Sequence, residues 1–357
     1  MPSLWILQRQ KSYNRFRINF MRIAVDAFGS DKAPFPEVEG AVSAINNKCC
    51  SKIFLVGKEK TLTKALDKYY YPKQAIKVID AAEVIDPSEK PVAELRKKAD
   101  SSLRKALNLV KEGRADALVS AGSTGAVMAA SLLYFGRIKG VLRPALAISL
   151  PTIKEPEILL DVGANVDCTS ENLVQFAEMG SIYSAYFQKK EQPRVALINI
   201  GEESKKGNEV TVEAHAKLQN LKSINFIGNI EGKDILKGTA DVIISDGFIG
   251  NIMLKTVEGV AFSLFEILKH EFEDDWIAKI GAILSYPAYR HLKKKLDYSE
   301  YGGGFLLGVN EISIIAHGRS NAKAISNAIK FASFSKKSKF LSHIKEYYLQ
   351  KMVKRGE

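Results

Sequence analysis

The chain has 357 residues, of which 46% are hydrophobic and 26% are charged, and its formal net charge at pH 7 is +12. These fractions are typical of a soluble globular protein, and no apolar run in the sequence approaches the ~20 residues that a membrane-spanning helix needs. The three cysteines have neither paired metal spacing nor the arrangement of a disulfide framework, which favours a reducing, cytoplasmic location.

The positive charge is concentrated at the two ends of the chain. Residues 1–20 carry +4 and residues 330–357 carry +6, which leaves +2 for residues 21–329. A nearly neutral body is not typical of a nucleic-acid-binding protein, so we expect no nucleic-acid partner. For the domain organisation we expect a disordered basic lead (1–20), one folded domain (21–333) and a basic C-terminal tail (334–357).

Short strands rich in Val, Ile and Leu alternate with helical segments along the chain. The runs "RIAVDAF", "KIFLVG", "ADALVSAG", "EILLDVGAN" and "RVALINIG" are examples. Because these strands do not alternate polar with apolar residues, they are expected to be buried on both faces, as in a parallel sheet covered by helices. The sequence therefore predicts a doubly wound α/β/α sandwich. Residues 257–298 differ and predict a protruding helical hairpin with a break at Ser285-Tyr286-Pro287.

One strand–turn–helix pattern occurs twice. The segment "DALVSAGSTGAVM" (116–128) returns as "DVIISDGFIGNIM" (241–253), with Asp, Ser, two Gly and Met at identical spacing. Glycine at a strand end permits a tight turn, and the helix that follows offers free N–H groups to an anion. A single turn of this kind is ordinary α/β architecture. Two of them, together with "HGRSNAKA" (317–324), favour an anion-binding pocket.

Ligands of such sheets bind beyond the carboxyl ends of the strands. The candidate phosphate- or substrate-binding residues at these ends are Asp26, Gly29, Asp31, Gly122, Ser123, Thr124, Gly125, Asn165, Asp246, Gly247 and Asn251. The candidate catalytic residues are His317, Ser320, Asn321 and Lys323, since histidine and neighbouring polar groups can donate to a developing oxyanion. Cys168 is a weaker candidate for an acyl-accepting nucleophile.

Neither a cofactor nor a metal is expected from these residues. The turn at 122–125 has only Gly-x-x-Gly, which lacks the full dinucleotide-binding pattern, and there is no phosphate-loop lysine motif. The acidic residues at the strand ends are too dispersed for a compact set of metal ligands.

At these residues the sequence resembles the bacterial phosphate acyltransferase family of phospholipid synthesis. The resemblance covers residues 21–329 and rests on seven blocks, "VDAFGSDKAP" (25–34), "SAGSTGAVMA" (120–129), "LLDVGANVDCTSENLVQFAEMGS" (159–181), "ISDGFIGN" (244–251), "LDYSEYGG" (296–303), "LLGVN" (306–310) and "HGRSNAKA" (317–324). It implies transfer of an acyl group from acyl-[acyl carrier protein] to inorganic phosphate, without a cofactor. It also implies a homodimer with a fold similar to isocitrate and isopropylmalate dehydrogenases and to phosphate acetyltransferase.

The sequence departs locally from the family pattern. Phe28, Ser30 and Lys32 stand where Met, Gly and His are usual, and Ser123 stands in place of an Asn. These changes bear on fine specificity more than on activity, because Ser123 keeps a hydrogen-bonding side chain.

Two further expectations concern partners. The acidic carrier protein is expected to dock on Arg290 and 293–295, and the hairpin is expected to contact an anionic membrane surface reversibly, where a glycerol-3-phosphate acyltransferase would consume the acyl phosphate. The membrane-facing candidates are Trp276, Ile277, Ile280, Ile283 and Leu284, which fall on one face of a helix. Packing of this face in a dimer or against the body is the alternative. For the function, the alternatives are an NAD-dependent oxidoreductase of the same fold and a nucleic-acid binder acting through its basic tails.

Overall fold

A computed structural model describes residues 21–86, 89, 91–274 and 276–355. The predicted N-terminal lead therefore lies outside the described residues. Within these residues there are eleven strands, β1 (Arg22–Asp26), β2 (Lys52–Gly57), β3 (Ile76–Asp80), β4 (Ala117–Ser120), β5 (Ala145–Leu150), β6 (Glu157–Leu160), β7 (Arg194–Ile198), β8 (Asn225–Ile230), β9 (Val242–Ile244), β10 (Gly304–Leu307) and β11 (Ile312–Ile315).

Eleven α-helices connect or flank these strands in the described part of the chain. They are α1 (Phe35–Asn46), α2 (Glu59–Leu66), α3 (Pro91–Lys97), α4 (Ser102–Lys111), α5 (Thr124–Phe135), α6 (Ser170–Tyr183), α7 (Glu209–Gln219), α8 (Gly247–Asp274), α9 (Trp276–Leu296), α10 (Ala322–Ser338) and α11 (Phe340–Arg355).

All eleven strands belong to one sheet with the order β3-β2-β1-β4-β11-β10-β5-β6-β9-β7-β8. The first five strands in this order are mutually parallel, and so are the last four. Between these groups, β10 is antiparallel to both β11 and β5, and β5 is antiparallel to β6. The expectation of a parallel sheet is therefore wrong at the centre, because the antiparallel pairs make the two outer groups run in opposite directions.

The strands are buried on both faces, as their lack of alternation predicts. In β1, Ile23 and Val25 belong to one hydrophobic cluster, whereas Ala24 belongs to a second cluster. Because successive side chains point to opposite faces of a sheet, the two clusters lie on opposite faces and are covered by different helices. The prediction of an α/β/α sandwich is confirmed.

The predicted hairpin is formed by α8 and α9, which meet through an edge-to-face contact of Phe265 and Tyr289 at 5.4 Å. The predicted break at 285–287 is wrong, since α9 continues through Pro287. A helix can accept one proline if the freed carbonyl reaches water, and every residue of α9 whose burial is described is at least partly accessible.

The segment Gly247–Glu273 is long and apolar enough to cross a membrane, with a mean hydropathy of 1.3, which revises the expectation of no such run.

The C-terminal residues form a folded part of the body. Phe340, Ile344 and Tyr348 of α11 lie in the main hydrophobic cluster. Glu178 of α6 is buried, accepts a hydrogen bond from Tyr348 Oη at 3.0 Å and forms an ion pair with Lys351. The boundary expected at residue 333 is therefore wrong, because α11 contributes both apolar contacts and the partners of a buried carboxylate.

Candidate active site

The first repeated turn (122–125) is shaped by a buried carboxylate beneath it. β1 and β4 are parallel neighbours, so Asp26 and Ser120 end side by side. Ser120 Oγ donates to Asp26 Oδ2 at 2.8 Å, and the N–H of Gly122 donates to Ser120 Oγ at 3.1 Å. Burial raises the pKa of Asp26 above its usual range. Asp26 thus positions the turn through its hydrogen bond with Ser120.

Gly29 is required by the close approach of the two loops. A Cβ at Gly29 would lie 2.6 Å from the backbone nitrogen of Gly122, a distance that real side chains do not show. The loop after β1 therefore packs directly against the 122–125 turn.

The same turn exposes unused hydrogen-bond donors at the start of α5. Within the described residues, the backbone N–H groups of Thr124, Gly125 and Ala126 have no hydrogen-bond acceptor. A Cβ at Gly125 would meet no atom within 4 Å, and Ser123 is exposed. Free amides at the positive end of a helix dipole form a suitable site for a phosphate.

The segment 317–321 joins this site from the end of β11, which is the other neighbour of β4. The N–H of Asp31 donates to the carbonyl of Gly318 at 2.9 Å, so the loop after β1 contacts this segment as well. Ser320 is buried, and its Oγ has no hydrogen-bond partner among the described residues. Three loops, those after β1, β4 and β11, therefore meet at one edge of the sheet.

Two of the predicted catalytic residues have structural partners. Asn321 caps α10, because its Oδ1 accepts a hydrogen bond from the N–H of Ala324 at 2.9 Å. Lys323 forms ion pairs with Glu300 at 2.8 Å and with Asp297 at 3.3 Å. The side chain of Asn321 thus contacts the start of α10, and the side chain of Lys323 contacts the segment that follows the hairpin.

His317 meets a residue that the motif analysis did not identify. Its Nε2 lies 2.9 Å from Nζ of Lys255, which is 62 positions away in the sequence. Burial lowers the pKa of His317, and the nearby Lys255 ammonium lowers it further. The available signal was the spacing of Lys255 four residues after the candidate Asn251, since side chains four apart share one face of a helix.

The second repeated turn (247–250) is closed by its own contacts. The N–H of Gly247 donates to the carbonyl of Asn165 at 2.7 Å, and the N–H of Gly250 donates to the carbonyl of Asp246 at 2.9 Å. Asp246 Oδ1 also accepts from the N–H of Ile249 at 2.7 Å. Because the N–H groups of Gly247, Ile249 and Gly250 are already paired, this turn offers fewer open amides to a phosphate than the turn at 122–125.

The remaining candidates support this closed turn. Asn165 Nδ2 donates to Asp161 Oδ2 at 2.8 Å and to the carbonyl of Pro144 at 2.7 Å. A Cβ at Gly247 would lie 2.6 Å from the Asn165 carbonyl oxygen. Asn251 is exposed on α8, on the same side as Lys255, and so is the member of this group best placed to reach the loops that follow β1, β4 and β11.

Cys168 lies beside the second turn, where its Sγ donates weakly to the carbonyl of Asn165 at 3.7 Å. Burial, together with the charges of Asp161 and Asp246, raises the pKa of this thiol to about 12. Since the thiolate is the nucleophilic form, this environment disfavours covalent catalysis at Cys168.

Comparisons with known proteins give a family match over most of the chain. A family model described as "Fatty acid synthesis protein" matches residues 21–342. A phosphate acyltransferase of Dictyoglomus turgidum is 48% identical over 338 residues, covering 94% of this chain and 100% of the relative. The chain belongs to this family. A phosphate acyltransferase of Heliobacterium modesticaldum is 49% identical over 328 residues, covering 92% of this chain and 97% of the relative.

Solved structures extend the likeness at the level of the fold. A phosphotransacetylase from Streptococcus pyogenes superposes with a TM-score of 0.60 at 18% identity, covering 89% of this chain and 94% of that chain. A 4-hydroxythreonine-4-phosphate dehydrogenase from Klebsiella pneumoniae gives a TM-score of 0.52 at 13% identity, covering 92% and 100%. The predicted kinship with dehydrogenase-like folds is confirmed, while family membership favours the acyltransferase over the oxidoreductase.

Proposed function

We propose that this chain transfers an acyl group from acyl-[acyl carrier protein] to inorganic phosphate, releasing acyl phosphate and the free carrier thiol. The observation that carries the proposal is the set of open amides at 124–126, beside His317 and Ser320, in a member of the phosphate acyltransferase family. The reaction places a phosphate and a thioester side by side. The open amides of the 122–125 turn offer a binding position for the phosphate. The 317–320 segment offers hydrogen-bond donors for the thioester.

In this mechanism the phosphate attacks the thioester directly. Phosphate near neutral pH is already partly dianionic, so holding it against the carbonyl matters more than removing a proton. Positioning of two reactants can lower a barrier by ~7–11 kcal/mol, and one donor to the oxyanion is typically worth ~3–4 kcal/mol. The new C–O bond forms, the tetrahedral oxyanion collapses, and the C–S bond breaks with its electron pair leaving on the carrier sulfur.

Phosphate-dependent release of the carrier thiol tests the proposal. Palmitoyl-[acyl carrier protein] incubated with the protein should release thiol only when phosphate is present, and hydroxylamine should trap the product as a hydroxamate. Thiol release that is independent of phosphate would indicate a thioesterase and contradict the proposal. A parallel incubation with NAD and hydroxy acids should show no change in nicotinamide absorbance, whereas such a change would support the oxidoreductase.

Replacement of Cys168 by alanine is expected to retain most of the activity, because direct attack needs no acyl-enzyme and the thiol is largely protonated. Steady-state kinetics of Cys168→Ala measures this directly. A stoichiometric acyl adduct on Cys168, detected by mass spectrometry of the wild-type protein, would contradict direct transfer.

For the carrier protein we propose docking on the basic end of α9. Arg290 and Lys294 line a groove there together with Tyr286, Pro287 and His291. Lys295 is already engaged, since its Nζ donates to the carbonyl of Ile153 at 3.0 Å. Arg290 and Lys293 are exposed and form no ion pair among the described residues, so they are the groups best placed to attract an acidic partner.

Removal of Arg290 and Lys293 is expected to raise the KM for the carrier protein about tenfold at low salt, which corresponds to ~1.4 kcal/mol. The effect should fade toward 1 M salt, where the Debye length falls to ~3 Å. The matched control is Lys60→Ala with Lys64→Ala, two exposed lysines of α2. Equal KM values for the two double variants, or a wild-type KM independent of salt, would contradict this docking surface.

For the hairpin we propose two contacts, one with a second copy of the chain and one with an anionic membrane surface. On α8 the exposed apolar side chains Val260, Phe262 and Ile267 are candidates for the homodimer interface. On α9, Ile283 and Leu284 are 73% and 78% exposed. Acyl phosphate is labile and apolar along most of its length, so production at the membrane surface would favour transfer to a membrane-bound glycerol-3-phosphate acyltransferase. A helix of this kind would lie in the interface without spanning the bilayer.

The double replacement Ile280→Glu with Ile283→Glu is expected to abolish flotation with anionic vesicles, because it places two carboxylates on the apolar face. The control pair is Ile200→Glu with Ile227→Glu, which changes exposed isoleucines elsewhere on the body. Dimerisation and acyl transfer in solution are measured on both variants. Flotation of the hairpin variant equal to that of the wild type would remove α9 as the membrane contact.

A further inference from the structure

A buried carboxyl group holds the loop that follows β1. Glu37 lies in the first turn of α1 and is fully buried. Its Oε1 accepts a hydrogen bond from the backbone N–H of Ser30 at 3.1 Å. Ser30 belongs to the short loop of residues 28–31, so the Glu37 side chain fixes the position of this loop from inside the protein.

The 28–31 loop lies between the two parts of the candidate site. At Gly29 it packs against the 122–125 turn, because a Cβ there would come within 2.6 Å of the turn's backbone. At Asp31 its N–H donates to the carbonyl of Gly318 at 2.9 Å. A displacement of this loop therefore changes its contact with the candidate phosphate turn.

The second carboxyl oxygen of Glu37 defines the protonation state that fits this position. Oε2 is buried and has no hydrogen-bond partner among the described residues. A carboxylate with such an oxygen is disfavoured, because a buried charge needs donors or a counter-ion. The neutral acid keeps a carbonyl oxygen for the Ser30 amide. Its Oε2–H can donate to the Ser30 hydroxyl, which is also buried and unpaired in the described part of the chain and can rotate to accept.

The groups around Glu37 favour its neutral form. Burial raises the pKa of Glu37 to about 7, its hydrogen bonds offset part of this rise, and the charge of Asp26 adds to it. From α10, which packs along α1, the ammonium of Lys323 is already paired with two carboxylates of the segment after the hairpin. The charged loop residues Asp31 and Lys32 are exposed. The other elements against α1, which are α2, β2 and β3, contribute apolar side chains to the core cluster that α1 joins.

We propose that Glu37 is a positioning residue that holds the 28–31 loop as the neutral acid, and that loss of its proton to solvent displaces this loop and weakens phosphate binding. The inference rests on the proposed function, because it takes the 122–125 turn as the phosphate site. A charge formed on Oε2 has to attract water or turn outward. Either change breaks the contact with Ser30 and moves the loop relative to the turn.

Binding of inorganic phosphate to the full chain, measured by titration calorimetry at pH 6 and pH 8, tests the proposal. The key variant is Glu37→Gln, which stays neutral and keeps an oxygen for the Ser30 amide. At pH 8 about one wild-type molecule in ten keeps its proton, so the wild-type Kd should be about tenfold weaker than that of Glu37→Gln. At pH 6 the two values should agree within about twofold. Because phosphate itself titrates in this range, the ratio of the two Kd values is compared at each pH.

A second variant, Glu37→Met, removes the acceptor while filling much of the same volume. It should bind phosphate about tenfold more weakly than Glu37→Gln at both pH values, since neither form of the site can then hold Ser30. Loss of binding in Glu37→Met with retention in Glu37→Gln assigns the effect to the hydrogen-bonding oxygen.

The matched control is Glu157→Gln, at the start of β6. Glu157 is also buried, its Oε1 accepts from the N–H of Ala240 at 3.2 Å, and its Oε2 has no partner among the described residues. Burial raises the pKa of Glu157 to about 7 as well. The control variant should keep the pH dependence of wild type, because Glu157 does not contact the 28–31 loop.

A ratio of wild type to Glu37→Gln that stays constant from pH 6 to pH 8 would overturn the proposal, and so would equal Kd values for Glu37→Met and Glu37→Gln. Acyl phosphate formation by wild type is measured separately. A constant ratio in a protein that makes acyl phosphate contradicts this inference alone. The predicted ratio in a protein that makes no acyl phosphate supports the role of Glu37 and contradicts the proposed function alone.

Discussion

Replacement of Gly125 by alanine is expected to raise the KM for phosphate at least about tenfold while slightly stabilising the protein. The added methyl group meets no protein atom within 4 Å, so the fold can accept it. It occupies the space beside the free amides of 124–126, where a hydrogen bond to a charged group is worth ~1.5–3 kcal/mol. Alanine also favours a helix over glycine by ~1 kcal/mol. Phosphate kinetics and thermal unfolding of the same variant measure both effects.

Gly232→Ala is the matched control, since a methyl group there also meets no atom within 4 Å and the residue lies outside the site. It should leave the KM for phosphate unchanged. If Gly125→Ala behaves in the same way, the 122–125 turn has only an architectural role.

The same substitution at the equivalent glycine of the second turn, Gly250→Ala, is expected to damage the fold. Its Cβ would overlap the carbonyl oxygen of Asp161 and lie 2.5 Å from Ser245 Oγ. Overpacking of a core typically costs ~1–3 kcal/mol, and this contact involves backbone, so we expect a loss of at least about 3 kcal/mol in the free energy of unfolding. Chemical denaturation measures the loss. Stability equal to that of wild type would show that the backbone at Asp161 moves freely, contrary to its hydrogen bonds.

These two glycines show how much of the candidate site could be predicted from the sequence. The repeated spacing correctly identifies two strand–turn–helix units, because glycine, a strand end and a helix start are local features. Whether the amides of a turn are free depends on the chain packed against it. The loop carrying Asp161 and Asn165 fills the second turn, while nothing in the described residues fills the space at Gly125.

For the fold, local patterns predicted that the strands are buried but did not predict their order in the sheet. Strands without alternation indicate burial on both faces, and the two core clusters have that arrangement. The antiparallel centre was not predictable, because the position of β10 between β11 and β5 depends on strand order, which no local pattern encodes. The contact of Lys255 with His317 is hidden for the same reason, since it joins α8 to a distant strand end.

Two local signals were misleading, one because a surface helix accommodates a proline and the other because tertiary packing outweighs it. Pro287 predicts a break, yet α9 continues through it on the surface. The charge of the last 28 residues predicts a tail, yet Phe340, Ile344 and Tyr348 recur at four-residue spacing and bury one face of α11. That spacing is the signal that could have identified the helix.

The most direct test of the central claim is the balance of the two products. Purified protein is incubated with palmitoyl-[acyl carrier protein] and radiolabelled phosphate, and labelled acyl phosphate and free carrier thiol are quantified in the same samples. Direct transfer predicts that the two appear together in a 1:1 ratio, with no acyl group retained on the protein. Free thiol without labelled acyl phosphate, or no reaction by a well-folded sample, would contradict the account.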